Sequence, residues 1–96
     1  MGEKRGQSFV MSDAEVPLSF SAFILGLAST ALIHLGVTPN PETGQSSVDM
    51  PQARQAIDAL DMLRAKTRGN LTDDEEQLFA SMLTDLRMRY VEKSTA

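Results

Sequence analysis

Apolar positions fall into one long unbroken run and two shorter periodic sets. The run, Leu18 to Val37 (LSFSAFILGLASTALIHLGV), contains no Asp, Glu, Lys or Arg. Within it Phe20, Phe23, Ile24, Leu27, Ala31 and Leu35 recur at the helical period and predict one apolar stripe. Leu25, Leu32 and Ile33 lie off that stripe, so most of the circumference is apolar. Ser19, just after Pro17, is placed to cap the N-terminus, and Gly36 with Pro39 supplies the stop. The spacing predicts a helix over about residues 20–36, ~26 Å long at the standard rise.

Two amphipathic segments follow. Asp49 as N-cap, Pro51 in the first turn and Gln52 at the capping-box position open a helix over about residues 50–67. Met50, Ala53, Ile57, Leu60 and Leu63 form its apolar face, widened by Ala56 and Met62. Arg64, Lys66 and Arg68 gather where positive charge opposes the helix dipole, and Gly69-Asn70 closes the segment. Thr72 and Glu75 make a T-x-x-E capping box for a third helix over about residues 73–91. Asp73, Asp74, Glu75 and Glu76 load its first turn with negative charge, while Leu78, Phe79, Met82, Leu83, Leu86 and Tyr90 form its apolar face.

With so short a link between them, the second and third helices should fold back as an antiparallel hairpin. That geometry sets the basic end of one beside the acidic start of the other, and brings Arg87 and Arg89 toward Asp49 and Asp58. Asp85 and Arg89 also form an i,i+4 pair in the favourable orientation. Between the first two helices runs TPNPETGQSS, residues 38–47. Its prolines restrict Thr38 and Asn40 to extended backbone, and Gly44 marks a second turn. Residues 1–16 read as a mostly polar, flexible tail. Asp13 and Glu15 beside the apolar run argue against a secretory signal there. Residues 93–96 should fray.

The fold expected over residues 17–92 is therefore all-α: a small helical domain whose apolar central helix packs on an antiparallel hairpin. Two one-sided helices cannot wrap a third that is apolar nearly all round. The uncovered side would expose on the order of several hundred Å², more than soluble monomers usually tolerate. Self-association about a two-fold axis covers it. Ala22, Gly26, Ser29 and Ile33 are the candidate contact residues, the small ones letting another backbone approach closely. A membrane is the other physical home for such a run. Its marginal length, its Ser19, Ser21, Ser29, Thr30 and His34, and its lack of aromatic or dense basic flanks favour burial in a bundle instead.

Composition narrows the chemistry further. With 13 acidic against 9 basic residues the formal net charge is −4, which disfavours a general nucleic-acid role. The absence of Cys removes disulfides, thiolate metal sites and thiol nucleophiles together. His34 is the single His and has no metal-ligand neighbour at helical spacing. The acidic run at residues 73–76 lacks the spaced pattern of a calcium loop and is accounted for as a helix start. No Gly-rich phosphate motif or nucleophile elbow is present. The expectation is no enzyme, no cofactor and no metal. Met50, Met62, Met82 and Met88 read as core filling, the commoner use, ahead of an adaptable binding groove. Pro39, Asn40, Pro41, Glu42 and Gly44 form either a rigid corner or a partner-binding loop.

Longer stretches carry a resemblance. FSAFILGLASTALIHLG, TPNPETG, VDMPQARQAIDALDMLRAKTRGNLTDDEEQLF and LRMRYVE together resemble the bacterial family called domain of unknown function 1844, over roughly residues 18–92. Its most specific pieces are Pro39 to Gly44, Lys66 to Thr72 and Leu86 to Tyr90. The resemblance implies a small bacterial, cytoplasmic helical protein and supplies no activity or catalytic residue to transfer. With chemistry sparse and apolar surface in surplus, the functional expectation is a non-catalytic, homo-oligomeric helical adaptor or scaffold, a dimer in its simplest form, that binds another protein. A membrane-associated protein anchored by residues 18–37 is the alternative.

Overall fold

Three helices in chain order, α1 (Phe20–His34), α2 (Met50–Lys66) and α3 (Asp73–Thr95), make up the computed structural model, which describes residues 19–95. No strand occurs among the described residues. The tail expected at residues 1–16 lies outside them.

Each helix begins where a side chain replaces a missing backbone partner. Ser19 Oγ accepts from the amide of Ala22 at 3.0 Å to open α1. Asp49 Oδ1 does the same for Gln52 at 3.1 Å, with Pro51 in the first turn of α2. At α3 the exchange is reciprocal: Thr72 Oγ1 accepts from Glu75 N at 3.1 Å, and Glu75 Oε1 from Thr72 N at 2.9 Å. That is the capping box the T-x-x-E spacing predicts.

The helix ends depart from expectation at both extremes of the chain. α1 stops at His34, not at residue 36, because Leu35 caps it and Gly36 turns left-handed at φ +76°. The amide of Gly36 then donates to Ile33 O and that of Val37 to Leu32 O, each at 3.0 Å, which satisfies the last-turn carbonyls. α3 instead runs on to Thr95, through residues expected to fray and past the expected end near residue 91. Ser94 Oγ donates to Tyr90 O at 2.6 Å and Thr95 Oγ1 to Val91 O at 3.0 Å, so these hydroxyls bind carbonyls of the final turns.

Fifteen residues give α1 a length of about 22 Å, against a bilayer core of about 30 Å. No helix among the described residues is long and apolar enough to cross a membrane.

The three helices share one core: Ile24, Ala28, Ala31 and Leu35 from α1 and its cap, Ala53, Ile57 and Leu60 from α2, and Phe79, Leu83 and Leu86 from α3. α1 packs most extensively on α2. Phe20 also reaches α3, where its ring meets that of Phe79 at 5.7 Å between centroids and 55° between planes. The buried row differs from the expected stripe at one telling position. Phe23 is 49% exposed, and the core row runs through Ala28 instead. Small Ala28 and Ala31 let a neighbouring helix approach closely, which directs the bulkier Phe23 outward.

Charges bind the hairpin along its length. Arg64 meets Glu76 at 3.4 Å, joining the basic end of α2 to the acidic start of α3 as the charge pattern predicts. Arg87 and Arg89 choose other partners than Asp49 and Asp58. Arg87 pairs with Asp61 at 3.0 Å, one turn further along α2. Arg89 pairs with Asp85 at 2.9 Å on its own helix, the i,i+4 pair that the spacing predicts. Such part-exposed pairs contribute about 0–1 kcal/mol each.

Candidate interaction surface

The side of α1 turned away from the core is an open apolar face. Ala22, Gly26 and Ser29 are exposed along its centre and Ile33 is partly buried. Phe23 and Leu25 flank this line, 49% and 47% exposed, and Val37 and Val48 stand exposed beside the helix C-terminus. The four residues singled out from the sequence as an oligomer contact therefore share this one face. Its two hydroxyls are turned inward: Ser29 Oγ donates to Leu25 O at 3.0 Å and Thr30 Oγ1 to Gly26 O at 3.2 Å. With those donors satisfied by the helix itself, the face can leave water at little polar cost. A Cβ built on Gly26 would meet nothing within 4 Å, so no contact among the described residues requires glycine there.

The proline loop is a second surface, built from its own hydrogen bonds. Asn40 Oδ1 accepts from Glu42 N at 2.8 Å, and Asn40 O accepts from Gly44 N at 2.7 Å. The amide of Asn40 in turn donates to Gln45 O at 2.9 Å, and Gly44 takes φ +71°. Pro39, Pro41, Glu42 and Gly44 are exposed, while Asn40 is partly buried at the centre of the turn. At the base, Asp49 N donates to His34 O at 2.7 Å, tying the start of α2 to the end of α1. The loop and the α1 face are thus separate surfaces joined at the α1 C-terminus.

Two clefts were not foreseen from the sequence. One, of about 320 Å³, lies between α2 and α3 and is lined by Arg54, Ile57, Asp58, Arg87, Tyr90 and Val91. Tyr90, through its hydroxyl, and then the Asp58 carboxylate raise the pKa of the Arg54 guanidinium. Arg54 also pairs with Asp58 at 3.4 Å, and Arg87 with Asp61, so both cations of the cleft are already matched by carboxylates. The other, of about 250 Å³, runs between α1 and α2 past Leu27, His34, Gln52 and Gln55. Pairings between helices have no periodic trace in the sequence, so neither cleft was legible there.

His34 is partly buried in that second groove. Among the described residues no three His, Cys, Asp or Glu side chains come together to hold a metal ion. The methionines divide. Met50 and Met82 pack against the core, but Met62 and Met88 are exposed, which corrects their reading as core filling. Each lies on the outer side of its helix, away from the buried rows of Ile57 and Leu60 or Phe79 and Leu83.

An all-α three-helix domain with one uncovered helix face is what these elements define. The chain belongs to the DUF1844 family, a domain of unknown function, whose model matches residues 17–92. No curated protein and no solved structure matches the chain.

Proposed function

We propose that this protein is a non-catalytic, homo-oligomeric helical adaptor of the bacterial cytoplasm. In this reading the open face of α1 joins copies of the chain, and the Pro39–Gly44 loop carries another protein. The observation that supports it is the α1 face itself: uncharged, flanked by half-exposed Phe23 and Leu25, with its hydroxyls satisfied internally. A face of this kind is stabilised by being covered, and self-association covers it without a second gene product.

Mass measurement in detergent-free buffer tests the assembly. The wild-type chain is expected above its 10.5 kDa protomer mass. Gly26→Leu should return it to the monomer while leaving the helical fold intact, because a Cβ there meets no atom of the described residues within 4 Å. A monomeric wild type at high concentration sinks the assembly. For the adaptor role, a partner captured by the wild type should be lost when residues 39–44 are replaced by a Gly/Ser linker. Capture that is indifferent to the loop rejects that role, and flotation of the chain with lipid vesicles would transfer the α1 face to a membrane surface.

A further inference from the structure

Arg54 and Arg87 stand on different helices, yet both line the cleft between α2 and α3. Ile57, Tyr90 and Val91 supply its apolar surface, and Asp58 is the one carboxylate of its lining. Asp61, which pairs with Arg87, stands outside that lining. The walls therefore carry two cations against one anion, a local excess of positive charge in a chain whose formal net charge is −4. A ligand drawn to this place is an anion.

The cations are held but not used up. Arg54 reaches Asp58 through Nε at 3.4 Å, and Arg87 reaches Asp61 through Nη2 at 3.0 Å. A guanidinium carries five N–H donors in a planar fork that fits a carboxylate with two parallel bonds, so neither pair exhausts its cation. All four side chains are more than half exposed, where such contacts contribute little, so a ligand that loosens one forfeits little. Tyr90 acts on Arg54 from the same cleft, since its hydroxyl is the first cause of the raised guanidinium pKa. With its oxygen toward Arg54, the phenol still has its own proton to donate to an anion beside it.

Beneath these polar groups the surface is apolar. Ile57 is buried and closes the bottom of the cleft, Tyr90 is partly buried, and Val91 is 57% exposed. An ionic head bound by the arginines leaves that hydrocarbon surface in water, and a body attached to the head covers it. The space, about 320 Å³, falls at the small end of the range of about 300–1,000 Å³ for small-molecule sites.

We infer that the α2–α3 cleft binds a small amphipathic organic anion, its carboxylate gripped between Arg54 and Arg87 and its hydrocarbon body laid on Ile57, Tyr90 and Val91. Asp58 has a defined part in this site. It competes with the ligand for Arg54 and repels the bound head, which favours a singly charged anion over a multiply charged one. The cleft belongs neither to the outer face of α1 nor to the proline loop, so it stands independently of the assembly proposed above.

The test is a titration of 3-phenylpropionate into the full-length 15N-labelled chain, followed by its amide NMR shifts. For a probe of about 11 non-hydrogen atoms a Kd on the order of 1 mM is expected. The shifts should saturate and concentrate at residues 54–58 and 87–91. Two comparators separate head from body: 3-phenylpropanamide keeps the shape without the charge, and acetate keeps the charge without the body. Each should bind about tenfold more weakly than the probe. Arg54→Gln and Arg87→Gln should each weaken the probe by about tenfold. Asp58→Asn should instead tighten it several-fold, a gain that no damaged fold produces. Absence of a saturable shift in the cleft overturns the proposal, as does an amide that binds as well as the acid. Acetate binding as tightly as the probe overturns the amphipathic class, and shifts centred on α1 would assign the probe to the open face instead.

Discussion

The α2–α3 hairpin and α1 solve the problem of burial in opposite ways. In the hairpin every helix has one apolar side, and its polar side is occupied by the Arg64–Glu76, Arg87–Asp61, Arg54–Asp58 and Arg89–Asp85 pairs. Its starts are capped by Asp49 and by the Thr72–Glu75 exchange. α1 has a side-chain cap from Ser19 at its start and no ion pair of its own making, since it lacks Asp, Glu, Lys and Arg. One side of it is locked into the core by Ile24, Ala28 and Ala31, and the other is as apolar as the first but open. Hairpin stability is thus spread over many local terms. That of α1 depends on what it touches.

The largest expected effect falls where the two regions meet. Phe79 is fully buried and its ring packs on Phe20, so Phe79→Ala should cost about 3–5 kcal/mol and release α1 and the hairpin together. Urea denaturation followed by circular dichroism reads this as a single lowered transition. If α1 unfolded alone, the two regions would not share one core.

Thr72→Ala removes only the cap of α3 and should cost about 1 kcal/mol, lowering the midpoint of the same transition while leaving the oligomer mass unchanged. A changed mass would mean that the hairpin, too, takes part in assembly. The smallest effect on the protomer, and the sharpest test of the contrast, is Phe23→Ala. Half-exposed Phe23 should alter protomer stability by no more than about 1 kcal/mol yet shift the concentration dependence of the mass toward monomer. Equal losses from Phe23→Ala and Phe79→Ala would erase the distinction between the two faces of α1.

The same contrast explains what the sequence made legible. The hairpin could be read almost residue by residue, because capping and charge pairing are local rules with fixed spacings: Thr72 with Glu75, Asp49 with Gln52, Arg64 across a short turn from Glu76. The direction of α1 could not. When nearly the whole circumference is apolar, periodicity has no preferred side, and the choice of Ala28 over Phe23 for the core is made by the helices packed against it. The uncovered face was nonetheless foreseeable, since it follows from counting apolar sides rather than from aiming them. Ala22, Gly26, Ser29 and Ile33 were grouped by spacing and do lie together. The clefts beside Tyr90 and His34 depend on how separate helices meet, which no stretch of sequence encodes alone.

One backbone bond, from the amide of Asp49 to the carbonyl of His34 at 2.7 Å, has a practical corollary. It clasps the crossover shut at its neck, so the segment from Leu35 to Val48 is a closed ring whose mounting is fixed. Residues inserted past the hydrogen-bonded turn, between Ser46 and Ser47, would lengthen the ring and leave the Asn40–Gly44 bonds in place. A fluorophore placed there would ride on a rigid base beside the end of α1. The crossover is, in effect, a handle already fitted to the molecule.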